Sequence, residues 1–341
     1  MIQHRRDAPQ RQEYSSISSR SRRFDTRESC VCAGHSGRSG YTPATWPATR
    51  TCSPNSAQQL QKQMPELPEV ETMVRGIRPE ATGREILDVE YCPCERKPIE
   101  ISPSTTTFRR KLRGQTISEV RRLAKRVVLC LSGGSFVVIE PRMSGLILVA
   151  DPPTTEHRRV CWHLKPRRGK ASSFEFWDRR GLGTVRLLTE VEMAELQERL
   201  GPDALEVDAS MWKAILSSTR RPVKVAMLEQ KLVAGIGNLY ASEILHRAGI
   251  SPQRSSQKIT RPQCERIAEA TIQVLETAIK YEGSTLGDGT YRNVLNQDGS
   301  YQNEHRVYDR EGDTCPQCSQ GVIKRIVQAQ RSTFYCPKCQ K

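Results

Sequence analysis

The sequence predicts a multidomain α+β protein in which a β-sandwich with an initial helix is followed by a helical domain and a small metal-held ribbon. Three observations predict it. From residue 86 to about 185, short β-branched runs are separated by turn residues, the spacing of an antiparallel sandwich. After Leu200-Gly201-Pro202 the apolar period becomes helical. At the end, Cys315-Pro316-Gln317-Cys318 and Cys336-Pro337-Lys338-Cys339, seventeen residues apart, have the two-knuckle spacing of a tetrahedral four-thiolate zinc site.

A length of 341 residues exceeds one ordinary core. The 53 Lys and Arg against 38 Asp and Glu leave +15, a surplus that points to a polyanionic partner; nucleic acid and membrane surface both fit it. No apolar run approaches 18 residues, so no bilayer span is expected. Residues 1–6 lead into no apolar stretch, so no secretory signal is read and the twelve cysteines are expected as thiols or metal ligands.

Residues 1–63 carry ten basic and four acidic side chains and no periodic apolar segment, and read as a disordered extension. The favoured account is upstream sequence outside the mature protein, because no amphipathic helix is visible; the other is an acid-poor targeting peptide. Without them, 43 basic and 34 acidic residues remain, so the basic surplus belongs to the folded part.

Met64-Pro65-Glu66-Leu67-Pro68-Glu69 looks like a beginning. Pro68 suits the first turn of a helix, Glu69 and Glu71 suit the positive end of its dipole, and Val70, Met73, Val74 and Ile77 share one face. Gly76 with Pro79 is expected to stop it. If Met64 initiates the chain and is trimmed, Pro65 carries a free secondary amine at a helix entrance, a nitrogen suited to nucleophilic catalysis.

Strands are expected near 86–91, 117–121, 127–131, 136–139, 146–150, 160–164 and 174–177, with Ser132-Gly133-Gly134-Ser135 as a tight hairpin turn. In the second domain the pattern predicts a helix over 223–232, then a turn at Gly235-Ile236-Gly237. Asn238 is expected to cap a helix closing at Gly249, and Thr260 with Gln263 to open a longer one ending near Gly283. Residues 284–303 have little periodicity and are expected to form a mobile loop. Zinc on Cys315, Cys318, Cys336 and Cys339 would be structural, since protein fills all four positions. Disulfides or a redox pair are the alternatives. The other eight cysteines show no second metal spacing, Cys92-Pro93-Cys94 being one residue too tight, and the six histidines form no paired helical motif.

Six motifs then occur in order: Pro65-Glu66-Leu67-Pro68-Glu69-Val70-Glu71-Thr72, Leu123-Ala124-Lys125-Arg126, Met143-Ser144-Gly145, Asp178 with Arg180 and Gly183, Lys231 through Glu243, and Gln330-Arg331-Ser332-Thr333-Phe334-Tyr335-Cys336. On these motifs residues 64–341 resemble the formamidopyrimidine-DNA glycosylase family of bacterial base-excision repair enzymes. The resemblance implies a catalytic β-sandwich over 64–200, a helix–two-turns–helix DNA-binding domain over 201–305 and a zinc ribbon over 306–341, with one structural Zn2+. It implies that Pro65 is the nucleophile and Glu66 the general acid, that Lys125 serves phosphate binding and β-elimination, and that Arg331 serves δ-elimination. It also implies DNA contacts at His157, Arg180, Arg220 or Arg221, Lys224 (the base) and Asn238 (a phosphate), and void filling by Met143, Arg180 and Leu182. The expected partner is duplex DNA with a flipped damaged base, bound by a monomer in the bacterial cytoplasm beside the nucleoid, with organelle targeting by residues 1–63 left open.

Three departures bear on the lesion. Leu182 stands where the family often has Phe, Glu140-Pro141-Arg142 where a His-Leu pair is common, and the segment 287–301 matches no family pattern residue by residue. Two other readings stay open: an endonuclease VIII-like enzyme for oxidised pyrimidines, against which Leu67 argues because that branch usually has Gly there, and a non-catalytic zinc-ribbon DNA-binding protein if residues 1–63 are retained.

Overall fold

The computed structural model describes residues 64–341 apart from Asp288, so the reading of 1–63 lies outside the described residues. Helix α1 spans Leu67–Ala81 and opens with the Glu66 amide donating to Glu69 Oε2 at 3.0 Å, a reciprocal cap that satisfies an otherwise orphaned donor. Val70, Met73, Val74 and Ile77 are fully buried against the sandwich, as their spacing predicts. Leu67 instead belongs to the core of the helical domain, so one helix is seated in two cores. Pro79 does not end the helix. A proline loses the bond to the carbonyl four residues back and crowds it, and here that residue is the exposed Arg75, within two turns of the helix end. Gly76 is a packing residue: an added Cβ would lie 2.2 Å from Val294 Cγ2.

The sandwich strands are β1 (Arg84–Tyr91), β2 (Glu100–Ser102), β3 (Thr116–Leu123), β4 (Arg126–Leu131), β5 (Phe136–Glu140), β6 (Gly145–Leu148), β7 (Arg158–Leu164), β8 (Ser173–Asp178) and β9 (Thr184–Leu188). Their order is β2-β9-β5-β4-β3-β1-β7-β8-β6. Strand β1 joins the two halves: Arg84 and Glu85 pair with β3, while Ile86 and, past an irregularity, Asp88 to Tyr91 pair with β7. Apolar residues of both halves interdigitate in one core, with Trp162 stacked on Phe174 at 5.0 Å. One pair departs from the antiparallel expectation, because the three-residue β2 adds to β9 in parallel. Helix α2 (Thr105–Leu112), too short for a periodic signal, buries Phe108 and Leu112, and α3 (Glu190–Glu198) covers Val128, Val138 and Leu188 with Met193.

The second domain comprises α4 (Ala209–Ser217), α5 (Val223–Met227), α6 (Asn238–Ala248) and α7 (Arg261–Lys280). The helix expected over 223–232 stops at Met227, and the chain then turns until α6. Gly235, at φ +104, lies against Leu67, where a Cβ would meet Cδ1 at 2.5 Å. Asn238 is the first helical residue of α6 and Gly237 its cap, a shift of one position from expectation; the left-handed Gly249 and the Thr260–Gln263 pairing are as predicted. The half-buried Arg122 ties the domains, donating to Glu71 Oε2 at 2.9 Å and to both carboxylate oxygens of Asp203. The segment 284–303 is anchored: Tyr291 and Val294 lie in the sandwich core, and the Val149 amide donates to the Val294 carbonyl at 2.9 Å. The ribbon is a hairpin of β10 (Lys324–Gln328) and β11 (Arg331–Tyr335), whose turn residues Ala329 and Gln330 both have positive φ.

Candidate active site

The first turn of α1 points at the start of α6. Glu66 Oε1 accepts the Leu239 amide at 3.0 Å, and the approach is so close that a Cβ on Gly237 would lie 2.2 Å from Glu66 Cδ. Glycine at the helix entrance is therefore what admits the carboxyl. Oε2 is buried without a hydrogen-bond partner. Burial pushes the Glu66 pKa up, against the opposing pull of Lys125 and of the α6 backbone amides. A buried carboxyl with one unsatisfied oxygen is equipped to hold a proton and deliver it.

The other expected catalytic residues converge here. Lys125 sits in the two-residue turn between β3 and β4, with Ala124 before it at φ +53. Burial holds its pKa below the ordinary lysine range, Glu66 opposes this, and Arg331 adds to it. Arg331 is exposed at the start of β11. Pro65 lines a small recess with Met143, Ser144, Gly145, Leu146, Thr290 and Tyr291.

Met143, Arg180 and Leu182 are brought together by one carboxylate. Asp178, fully buried, accepts the Ser144 hydroxyl at 2.5 Å and the Arg180 amide at 3.1 Å on Oδ1, and the Leu182 and Gly183 amides at 2.8 Å on Oδ2. The Arg180 guanidinium contacts Met143 Sδ at 3.1 Å. Three half-buried side chains are thus held at one edge of the sandwich by bonds that join two of the sequence motifs. The substitution Asp178→Asn, which leaves an amide where four donors need an acceptor, is expected to cost on the order of 3 kcal/mol in urea unfolding. It should also weaken duplex binding about tenfold in a fluorescence titration; unchanged binding would remove Asp178 as the organiser.

Lys224 departs from its expected role. It is fully buried, and its Nζ donates to Asn238 Oδ1 at 2.8 Å, Thr333 Oγ1 at 2.8 Å and the Ser332 carbonyl at 3.2 Å. An ammonium has three donors, so none remains for a base in this conformation. Lys224 is instead a pin between α5, α6 and the ribbon, and Asn238 shares in it. His157 is buried too, edge-on to Trp177 at 5.4 Å, with Nε2 2.9 Å from Glu156 and Nδ1 unpartnered. As placed, the ring offers no exposed edge to DNA. Arg220 is exposed, and Arg221 is exposed but paired with Glu229 at 2.8 Å.

Glu69, which the sequence places only at the positive end of the helix dipole, is tied to the second domain: its Oε1 accepts the Tyr240 hydroxyl at 2.6 Å and the Ser284 amide at 3.0 Å. Burial first, then the Glu66 charge, push its pKa up to about 7. Burial pulls Lys224 down to about 7. The two act oppositely on stability. Between pH 4.5 and about 7 the folded state binds more protons through Glu69, so stability falls as pH rises; between about 7 and 10.5 the unfolded state binds more through Lys224, so stability rises. Thermal unfolding across pH should show Glu69→Gln flattening the acidic limb and Lys224→Met the alkaline one; parallel curves for wild type and both variants would refute the assignment.

The four ribbon cysteines fit zinc. Cys315 and Cys339 Sγ lie 3.7 Å apart and Cys318 and Cys336 Sγ 3.9 Å apart, and all four sulfurs are within 4.8 Å of one another. Metal–sulfur bonds of about 2.3 Å in a tetrahedron place sulfurs about 3.8 Å apart, whereas a disulfide needs about 2.05 Å. His246 of α6 places Nε2 3.3 Å from Cys315 Sγ.

Known proteins share this arrangement. The family descriptions that match are the formamidopyrimidine-DNA glycosylase N-terminal domain over residues 64–185, the H2TH domain of the same enzymes over 200–289, and the zinc finger found in FPG and IleRS over 312–341. The formamidopyrimidine-DNA glycosylase of Chloroflexus aurantiacus is 39% identical over 279 residues, covering 81% of this chain and 98% of that relative. The Streptococcus pyogenes enzyme of the same name is 34% identical over 284 residues, covering 82% and 99%. The crystal structure of the MutM (Fpg) protein from Thermus thermophilus superposes with a TM-score of 0.69 at 34% identity, covering 81% of this chain and 98% of that one. The complex between the Lactococcus lactis Fpg and abasic-site-containing DNA superposes at 0.70 with 28% identity, covering 81% and 99%. With both domains and the ribbon matched in order and the relatives covered almost end to end, the chain belongs to the formamidopyrimidine-DNA glycosylase family.

Proposed function

We propose that the protein is a bifunctional DNA glycosylase and abasic-site lyase that excises oxidised purines, such as 8-oxoguanine and formamidopyrimidines, from duplex DNA. The observation that carries the reading is the Glu66 carboxyl, buried with one free oxygen at the start of α6, on the residue adjoining Pro65. In this reading the Pro65 nitrogen attacks C1′ of the damaged nucleotide and the bond from C1′ to the base breaks. The base departs with the bonding electrons and takes up the Glu66 proton. An α-amine titrates near 7.7–8.0, so a useful fraction is unprotonated near neutrality. The attacking nitrogen then gives up its proton to O4′ as the C1′–O4′ bond breaks, which opens the sugar ring and leaves an iminium. Because proline is a secondary amine, that iminium has no N–H proton to shed. Its positive charge persists as an electron sink for β- and then δ-elimination of the flanking phosphates, with Lys125 and Arg331 serving those steps.

The base must leave the stack to be reached, which costs a few kcal/mol, and Met143, Arg180 and Leu182 fill the vacated space. The protein acts on duplex DNA as a monomer. The nucleophile exists only in a chain that begins at Pro65, because in a longer chain that nitrogen is an amide. The family match that begins at residue 64 supports such a start.

Borohydride reduction of the iminium links protein to DNA, and the linked species is counted on a gel. A protein started at Met64 should trap on an 8-oxoguanine duplex, whereas the full 341-residue chain and the Pro65→Ala variant retained behind an uncleaved methionine should not. Absence of the adduct from the Met64-start form sinks the enzyme reading and leaves a DNA-binding protein.

A further inference from the structure

Of the cysteines outside the ribbon, the sequence shows no metal spacing, but the fold places one of them in a ligand set that spacing cannot reveal. Cys161 and His163 are two residues apart on β7 and so share a face. Glu90 on β1 is the direct cross-strand partner of Cys161. This is the face opposite Val160, Trp162 and Leu164, which enter the sandwich core. The thiol sulfur, an imidazole nitrogen and a carboxylate oxygen of the three lie within 4.8 Å of one another, and Glu90 Oε2 is 3.1 Å from His163 Nε2.

We propose that Glu90, Cys161 and His163 form a second metal site, distinct from the ribbon, for a borderline-soft divalent cation of the Zn2+, Co2+ or Cd2+ class. Thiolate, imidazole and carboxylate together match that class and disfavour Mg2+ or Ca2+, which take oxygen. One thiolate and one carboxylate neutralise a divalent charge, so the loaded site adds no net charge beside the buried Cys161. Binding exchanges the Cys161 S–H bond for an S–metal bond and releases that proton to solvent. The Glu90 and His163 side chains, 54% and 41% exposed, are free to give up their mutual contact and turn toward the cation, and the fourth position goes to water. Arg158 opposes cation binding, but its charge is engaged by Glu175 at 2.6 Å. The loaded site clips β1 to β7, the pairing through which the two halves of the sandwich are joined.

The test uses the full chain with its ribbon zinc in place, in a thiol-free reductant, titrated with Co2+. One further Co2+ per chain is expected, with a thiolate-to-cobalt charge-transfer band, a raised melting temperature and undiminished zinc content. His163→Ala, at a half-buried position outside the core, should weaken binding about tenfold or more. Cys161→Ser should abolish the band, while Cys92→Ser and Cys130→Ser leave it unchanged. Failure to bind Co2+ beyond what displaces zinc, or a band that survives Cys161→Ser, overturns the proposal.

Discussion

Glu66→Gln is expected to slow base excision from an 8-oxoguanine duplex at least about 100-fold while sparing most of the borohydride trapping at a preformed abasic site. The two reactions differ in what they ask of the carboxyl. A base leaving C1′ needs a proton, and an amide has none to give; the aldehyde of an abasic sugar has already lost its base, and its condensation with the amine expels water, which solvent can protonate. Gln is close in size to Glu and can still accept the Leu239 amide through its oxygen, so the bond that seats residue 66 at α6 is retained. The pH profile supplies a second readout. Excision by the wild type should rise with pH as the Pro65 ammonium loses its proton and fall again as Glu66, whose pKa burial raises, loses its own. Single-turnover excision and trapping on the two duplexes decide the matter. Equal losses on both would show that residue 66 positions the nucleophile and does not serve as the acid.

Removing the ribbon zinc by chelation, or changing Cys336→Ser, is expected to lower duplex affinity about 100-fold or more while the sandwich stays folded. Structural zinc contributes roughly 10–16 kcal/mol of apparent binding energy in small metal domains, and a hairpin of this size has little else to hold it. The damage should not stay in the ribbon. The Ser332 carbonyl and Thr333 hydroxyl hold Lys224, Lys224 holds Asn238, and Cys315 contacts His246, so loss of the hairpin leaves buried polar groups of α5 and α6 unpaired. The checks are salt-dependent DNA titration for the ribbon and near-ultraviolet circular dichroism from the stacked Trp162 and Phe174 for the sandwich. Unchanged affinity at moderate salt would exclude the ribbon from DNA binding; a collapsed aromatic signal would show that the sandwich depends on the metal.

What can be read from the sequence is what short spacing encodes. The two cysteine pairs, the buried face of α1, the Thr260–Gln263 cap and the left-handed Gly249 are each written within a few residues. The features that escape it need partners far along the chain. Glu69 meets Tyr240 across 171 positions, and Lys224 meets Thr333 across 109. Sequence alone therefore presents Lys224 as an available cation when it is a buried one. Glu90 meets His163 across 73 positions, which is why cysteine spacing finds one metal cluster where the folded chain also assembles another ligand set. The loop over 284–303 shows no anchor in sequence because Tyr291 and Val294 obey no period; each fills a gap left by α1, and gaps are not periodic.

The seating of Glu66 against Gly237 has a consequence for how the protein is made. Residue 66 is synthesised early, and the glycine and helix start that seat its carboxyl follow 171 positions later. A sandwich emerging alone from the ribosome thus carries the proline and the glutamate but lacks the glycine that admits the carboxyl and the α6 amide that it accepts. On the proposed reading, the acid for base excision is seated only once the start of α6 has been made, so a chain truncated before Gly237 is expected to excise bases poorly. On that reading, the dependence of Glu66 on a helix start made 171 positions later works as an interlock between synthesis and excision.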